Sequence, residues 1–265
     1  MIERNRALPS DTAMGATRVA AVPQYSPAKI LAVWSAAALP MGLLAWVIAP
    51  WLGRRLGGDD PFAGALFLCI TAGLLWQFVL VLFLTSRELG GFTWSRVGEA
   101  LWLQAPRDPK TGRVGGRLWL WALLFALLYV LWQTVPGIRG PASRDFAAFV
   151  GSDRGHAFFH HAWGWFAVVV LYSIFNTVLG EELLFRGLLL PRMRGAFGRW
   201  DWVANGVLFG VYHLHQPWGI PRSLVNGIFL LAYPARRWRS AWLGIIVHST
   251  QTLFVVAVVL ARVLA

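Results

Sequence analysis

Charge is what this chain lacks. Only 14% of its 265 residues are Asp, Glu, Lys or Arg, whereas a soluble domain carries about 25%. Acid is scarcer still, with 12 carboxylates against 24 Lys and Arg. Cysteine is reduced to one residue, Cys69. That excludes an intrachain disulfide, a thiolate metal cluster and a redox pair, and its apolar neighbours make Cys69 a small core hydrophobe. No Asp, Glu, Lys or Arg interrupts residues 30–52, 62–85, 118–135 or 241–261. Each run reaches the roughly 18–20 residues needed to cross a hydrocarbon core as a helix. The fold class is therefore all-α, a polytopic membrane helix bundle.

The rest of the chain fits that frame. Residues 1–29 are polar, with Pro9, Pro23 and Pro27, and read as a cytoplasmic tail. The first apolar run lies too far from the start, and is too long, for a signal peptide, so it reads as a retained anchor. Weaker spans are expected at 166–190, 202–215 and 223–233, which gives about seven (six to eight). The chain divides into the tail (1–29), N-terminal membrane helices and loops (30–160) and a membrane core (161–265). With the N-terminus inside, 17 Lys and Arg fall on the cytoplasmic side and 7 outside, so the positive-inside rule sets the tail in the cytoplasm. The segment 92–105, with Trp94 and Trp102, reads as interfacial. The net charge of +12 does not point to nucleic acid, because the arginines are scattered between apolar runs and form no basic helix. Arginine-rich, Ala- and Gly-rich composition suits a bacterial inner-membrane protein.

Two carboxylates break the pattern. Glu181 and Glu182 lie inside the apolar run "NTVLGEELLFRGLLLPRM" (176–193). An ionised residue at mid-membrane costs roughly 2.5–3.5 kcal/mol even on the permissive insertion scale, so it needs a partner or a function. Glu182 and Arg186 stand i,i+4 in the favourable order and supply a structural ion pair. Glu181 points about 100° away round an α-helix and has no local partner. His213 and His248 fall in separate expected spans, about 17 Å and 12 Å from their cytoplasmic starts at 1.5 Å per residue, a depth similar to that of Glu181. A carboxylate and two imidazoles can activate water and stabilise an oxyanion. They are equally the donor set of a His-His-Glu zinc site. His215, two residues from His213, reads as an interfacial residue, and His156, His160 and His161 as a loop cluster.

These residues carry a resemblance. "EELLFR" (Glu181, Glu182, Arg186), "FGVYH" (Phe209 to His213) and His248 in "GIIVHSTQT" resemble the EExxxR, FxxxH and final-His motifs of the CPBP family of intramembrane proteases, the CAAX prenyl endopeptidases and their bacterial relatives. The likeness covers roughly 165–260. It implies an intramembrane glutamate- or metallo-endopeptidase. Glu181 with His213 would polarise a water, His248 with Thr252 would stabilise the oxyanion, and Glu182 with Arg186 would fix the helix. A divalent metal such as zinc on Glu181, His213 and His248 is an open alternative. The implied partners are membrane lipids and a peptide or protein substrate, membrane-bound or lipid-modified. One position departs: the family's Asn, four residues after the final His, is Thr252 here. Thr252 shares the helix face of His248 and can donate a hydrogen bond but presents no amide. That leaves two other readings open, a noncatalytic immunity or scaffold protein on the same fold and a proton-coupled transporter with a Glu–His relay.

Overall fold

The computed structural model describes residues 22–265. Helices account for nearly all of the regular structure, and the described residues contain no strand beyond one isolated bridge, Arg107 with Val114. Five helices are long and apolar enough to cross a membrane: α1 (Pro27–Gly53), α2 (Pro61–Leu89), α4 (Gly116–Gln133), α7 (Trp163–Arg192) and α10 (Ala241–Leu264). Between them lie α3 (Trp94–Ala100), α5 (Phe146–Val150), α6 (Asp153–Phe159), α8 (Asp201–Tyr212) and α9 (220–238). The protein is thus a polytopic helical membrane protein. The expected fifth and sixth spans are the departure. α8 has only 12 residues, and α9 carries Arg222, Arg236 and Arg237. They form an antiparallel hairpin, closed at its base by Arg236 to Asp201 at 2.5 Å. Its tip is tied to the end of α4 by Arg222 to Gln133 Oε1 at 2.6 Å.

Local chemistry explains the helix ends and bends. Ser26 caps α1 by accepting from Lys29 N at 3.2 Å, with Pro27 at its first position. Asp60 and Pro61 repeat the device at α2, since a capping side chain and a proline both suit the orphan amides of a first turn. Pro40 lies inside α1 and cannot donate to Ala36 O. The Trp76 indole of α2 donates to that carbonyl instead, at 2.8 Å. A few residues on, α1 widens to π geometry over Leu44–Ile48. In that register Pro50 leaves Ala45 O without its amide, and Arg144 takes the place at 3.1 Å.

Burial follows the bilayer. Leu39, Phe83, Leu123, Leu127, Leu253 and Phe254 are all more than half exposed. In water such a belt would invite aggregation; in lipid it is the solvent-facing surface. Trp94 is 76% exposed, as an interfacial anchor should be. Cys69 is buried beside Ala49 and Ala65. The stretch 22–29 is not a free tail. Tyr25 is 3% exposed, its amide donates to Arg192 O at 2.9 Å, and Gln24 Nε2 donates to Pro191 O at 3.0 Å. The remainder of the expected tail, 1–21, lies outside the described residues. The principal core runs through Phe185, Leu188, Phe209, Tyr212 and Val247, between α7, α8 and α10, and holds the intramembrane charges.

Candidate active site

Glu181 and Glu182 sit between two π-helical stretches of α7, Phe175–Gly180 and Leu183–Leu189. Such widened turns are uncommon and recur at functional sites. Here they also change the angular spacing that α geometry predicts. Glu182 and Arg186 still meet, at 3.1 Å, and both are fully buried. The pairing expected from the sequence is therefore present. Its setting is richer than a pair. The Arg186 guanidinium lies 4.2 Å from the centre of the Phe209 ring, and Nη2 donates to Gly227 O on α9 at 3.3 Å. A buried charge needs this much: an ion-pair partner, a carbonyl and a π face together offset the lost hydration.

Sequence spacing could not locate His248, and the structure does. Its Nδ1 lies 3.0 Å from Glu182 Oε1. The carboxylate accepts, so Nδ1 carries the proton. Glu182 thus bridges Arg186 on its own helix and His248 on α10. The resemblance implied that His248 works with Thr252; its direct contact is with Glu182. His213 is anchored in the same manner by its own helix. Its Nδ1 donates to Phe209 O at 2.9 Å. Both imidazoles therefore use Nδ1 for structure, which leaves Nε2 as the ring nitrogen for a ligand. Phe209 links the two, with ring centres 4.9 Å from His213 and 6.0 Å from His248, both edge-on. The FxxxH spacing then has a physical meaning: Phe209 supplies the carbonyl that orients His213 and the ring that covers Arg186.

Glu181 is the residue left over. It is 2% exposed, and its Oε2 is buried with no hydrogen-bond partner among the described residues. Leaving a buried polar atom unpaired costs about 1–3 kcal/mol, more when it is charged, so an unpaired carboxylate oxygen inside a membrane helix marks a candidate functional position. Thr252 shares its hydroxyl with Thr177 of α7 at 2.8 Å. His215, expected at the interface, is instead 6% exposed, while His213 is half-buried. Among the described residues, no three His, Cys, Asp or Glu are grouped so that they could hold a metal ion.

Two contributors went unnoticed in the sequence. Gly244 lies one turn before His248, and a Cβ there would come within 2.4 Å of Glu182 Oε2. Tyr129 of α4 is 1% exposed and donates to Gln251 Oε1 at 2.6 Å, with its ring 6.1 Å from His248. Both had a weak signal: a glycine at i−4 on the histidine face, and the one hydroxyl-bearing residue of α4.

No curated protein and no solved structure matches the chain. Residues 163–254, which contain every residue of the cluster from Glu181 to His248, match the family described as type II CAAX prenyl endopeptidase Rce1-like. Over residues 163–254 the membrane core that holds the cluster is therefore similar to the CAAX prenyl endopeptidases of that family.

Proposed function

We propose that the protein is an intramembrane endopeptidase that hydrolyses a peptide bond near the cytoplasmic side of the membrane, with Glu181 as general base. The observation that carries this reading is the buried, unpartnered Oε2 of Glu181, taken together with two imidazoles whose Nδ1 atoms are already committed. Glu181 takes a proton from water while His213 Nε2 holds that water, and the hydroxide attacks the scissile carbonyl. His248, protonated and stabilised by Glu182, donates from Nε2 to the oxyanion. The second nitrogen of such a histidine is set by the partner of the first, as in other carboxylate–histidine pairs. Collapse of the tetrahedral species returns a proton to the leaving amine, and Glu181 is the group that just received one. Charge-directed donors of this kind in a water-poor cavity are worth several kcal/mol of barrier lowering.

Thr252 acts by position. Its bond to Thr177 fastens α10 to α7 one turn beyond His248, so the hydroxyl supports the histidine's placement in the reading proposed here. No step of this reading is routed through a metal. The substrate is a peptide or protein held at the membrane, and the family match supports a lipid-modified C-terminal segment as its class. The test is reconstitution in liposomes with a farnesylated C-terminal peptide and, in parallel, with the membrane proteins that accumulate when the protein is absent from cells. Cleavage by wild type and none by Glu181→Gln supports the reading. Proton flux without cleavage would replace it with transport.

A further inference from the structure

A cavity of about 40 Å³ lies beside the active-site histidines, its lining including none of Glu181, Glu182, His213 and His248. A single water needs roughly 10–15 Å³ of such space, so it accommodates about three waters or one small headgroup. Its walls are apolar on the α2 side, with Ala63, Leu66, Phe67 and Ile70, and its polar edge brings together Arg144, Tyr172, His215 and Gln216. Two independent features make that edge short of acceptors.

The first is His215. Gln216 Nε2 donates to His215 Nε2 at 3.1 Å, so the neutral ring carries its proton on Nδ1. That Nδ1 is buried and has no partner among the described residues. An unpaired donor at 6% exposure calls for an acceptor that enters the cavity. The second is Arg144. It is held by the Ala45 carbonyl that Pro50 leaves free and lies 4.2 Å from the Trp46 ring centre and 4.9 Å from that of Phe62. No carboxylate of the described residues lies within ion-pair distance of it (the pairs formed involve other cations). Trp46 in turn donates to Leu214 O at 3.0 Å, beside His215, and Arg144 and His215 both line the cavity. Asp145 also lines it, but its oxygens are engaged by Ala148 N at 3.0 Å, which caps α5, and by Gly140 N at 3.2 Å.

We propose that this cavity is an oxyanion site that takes a phosphate group on Arg144 and the His215 Nδ1–H, with the apolar α2 wall receiving whatever chain the group carries. A guanidinium and an imidazole N–H are strong donors to phosphate, and burial of the site raises the strength of each bond. The group has two sources, a phospholipid headgroup or free phosphate, and both have the same contact chemistry. The His213 and His215 rings stack at 5.5 Å and 25°, so occupancy would also steady the histidine of the active site. The proposal does not depend on the peptidase reading.

Purified full-length protein in neutral detergent is titrated with dihexanoyl phosphatidylglycerol, with dihexanoylglycerol, which lacks the phosphate, and with inorganic phosphate, reading the thermal midpoint and Trp fluorescence. Phosphatidylglycerol should raise the midpoint saturably and dihexanoylglycerol should not. A response to inorganic phosphate as well assigns the free anion; its absence assigns the headgroup. Arg144→Gln and His215→Phe should each weaken half-saturation about tenfold or more, the loss of one charge-assisted bond. If either variant fails to fold, the other and the wild-type lipid comparison decide. Equal responses to the two lipids, no response to any probe by wild type, or folded variants that respond like wild type would each overturn the proposal.

Discussion

At the scale of single residues, adjacent carboxylates have opposite work. Glu182 is paired through Oε1 to both Arg186 and His248, with its Oε2 left unpartnered, whereas Glu181 enters no ion pair among the described residues. Glu182→Gln removes the anion that two cationic groups need. An unpaired buried charge of this kind costs about 3–5 kcal/mol, so folded yield and thermal midpoint should fall first and activity with them. Adding Arg186→Met should recover part of the midpoint, measured by thermal unfolding in detergent; no recovery would show that the pair is not what the mutation broke. Gly244→Ala tests the same carboxylate from the opposite helix. A Cβ at 2.4 Å from Glu182 Oε2 displaces it from His248, so cleavage should drop while expression changes less than in Glu182→Gln. An unchanged rate in Gly244→Ala would mean that Glu182 and His248 need not touch. For metal, wild type and a His213→Ala, His248→Ala double variant should bind equal zinc by elemental analysis, since no three such donors are grouped among the described residues. Zinc lost only from the double variant would restore the metal reading. Cys69→Ser should leave zinc content and cleavage at their wild-type values.

At the scale of elements, the legible parts were those carried by local periodicity. Long apolar runs gave α1, α2, α4, α7 and α10, and the i,i+4 spacing gave Glu182 with Arg186. The parts missed depend on contacts between distant segments. His248 meets Glu182 across 66 positions of chain, which no spacing rule reaches. The π widening on both sides of Glu181 comes from packing, with Gly180 set close to Leu74 O. The α8–α9 hairpin looked like two spans because hydropathy registers apolar content and not helix length. Its close crossing depends on Gly206, where a Cβ would lie 2.5 Å from Ile228 Cα. Gly206→Leu should therefore separate α8 from α9 and pull Phe209 off Arg186. Cleavage and thermal midpoint should both fall sharply, and near-wild-type values for both would contradict this crossing as the support of the site. His215 was misjudged for a related reason: the helix ends at Tyr212, and the turn that follows folds the imidazole inward.

At the scale of the whole molecule, five long helices and one hairpin determine the topology up to a parity. Whether the hairpin crosses fully or returns, it adds an even number of passages, so an odd total remains. Residues before α1 and after α10 should then face opposite sides. Reporter fusions at 108–114 and after Ala265 test this, with a cytoplasmic signal expected from the first and an external signal from the second. Signals from the same side would mean that one of the five long helices lies on the membrane without crossing it. The central claim, that Glu181 is the base of a peptidase, is tested most directly by one comparison. Single-turnover cleavage of a substrate that wild type cuts is measured in liposomes for wild type and Glu181→Gln at equal folded protein. A positioned general base contributes about 10²–10⁴-fold. The account predicts a loss of that size with an unchanged thermal midpoint, and Glu181→Gln cutting within a few-fold of wild type would contradict it.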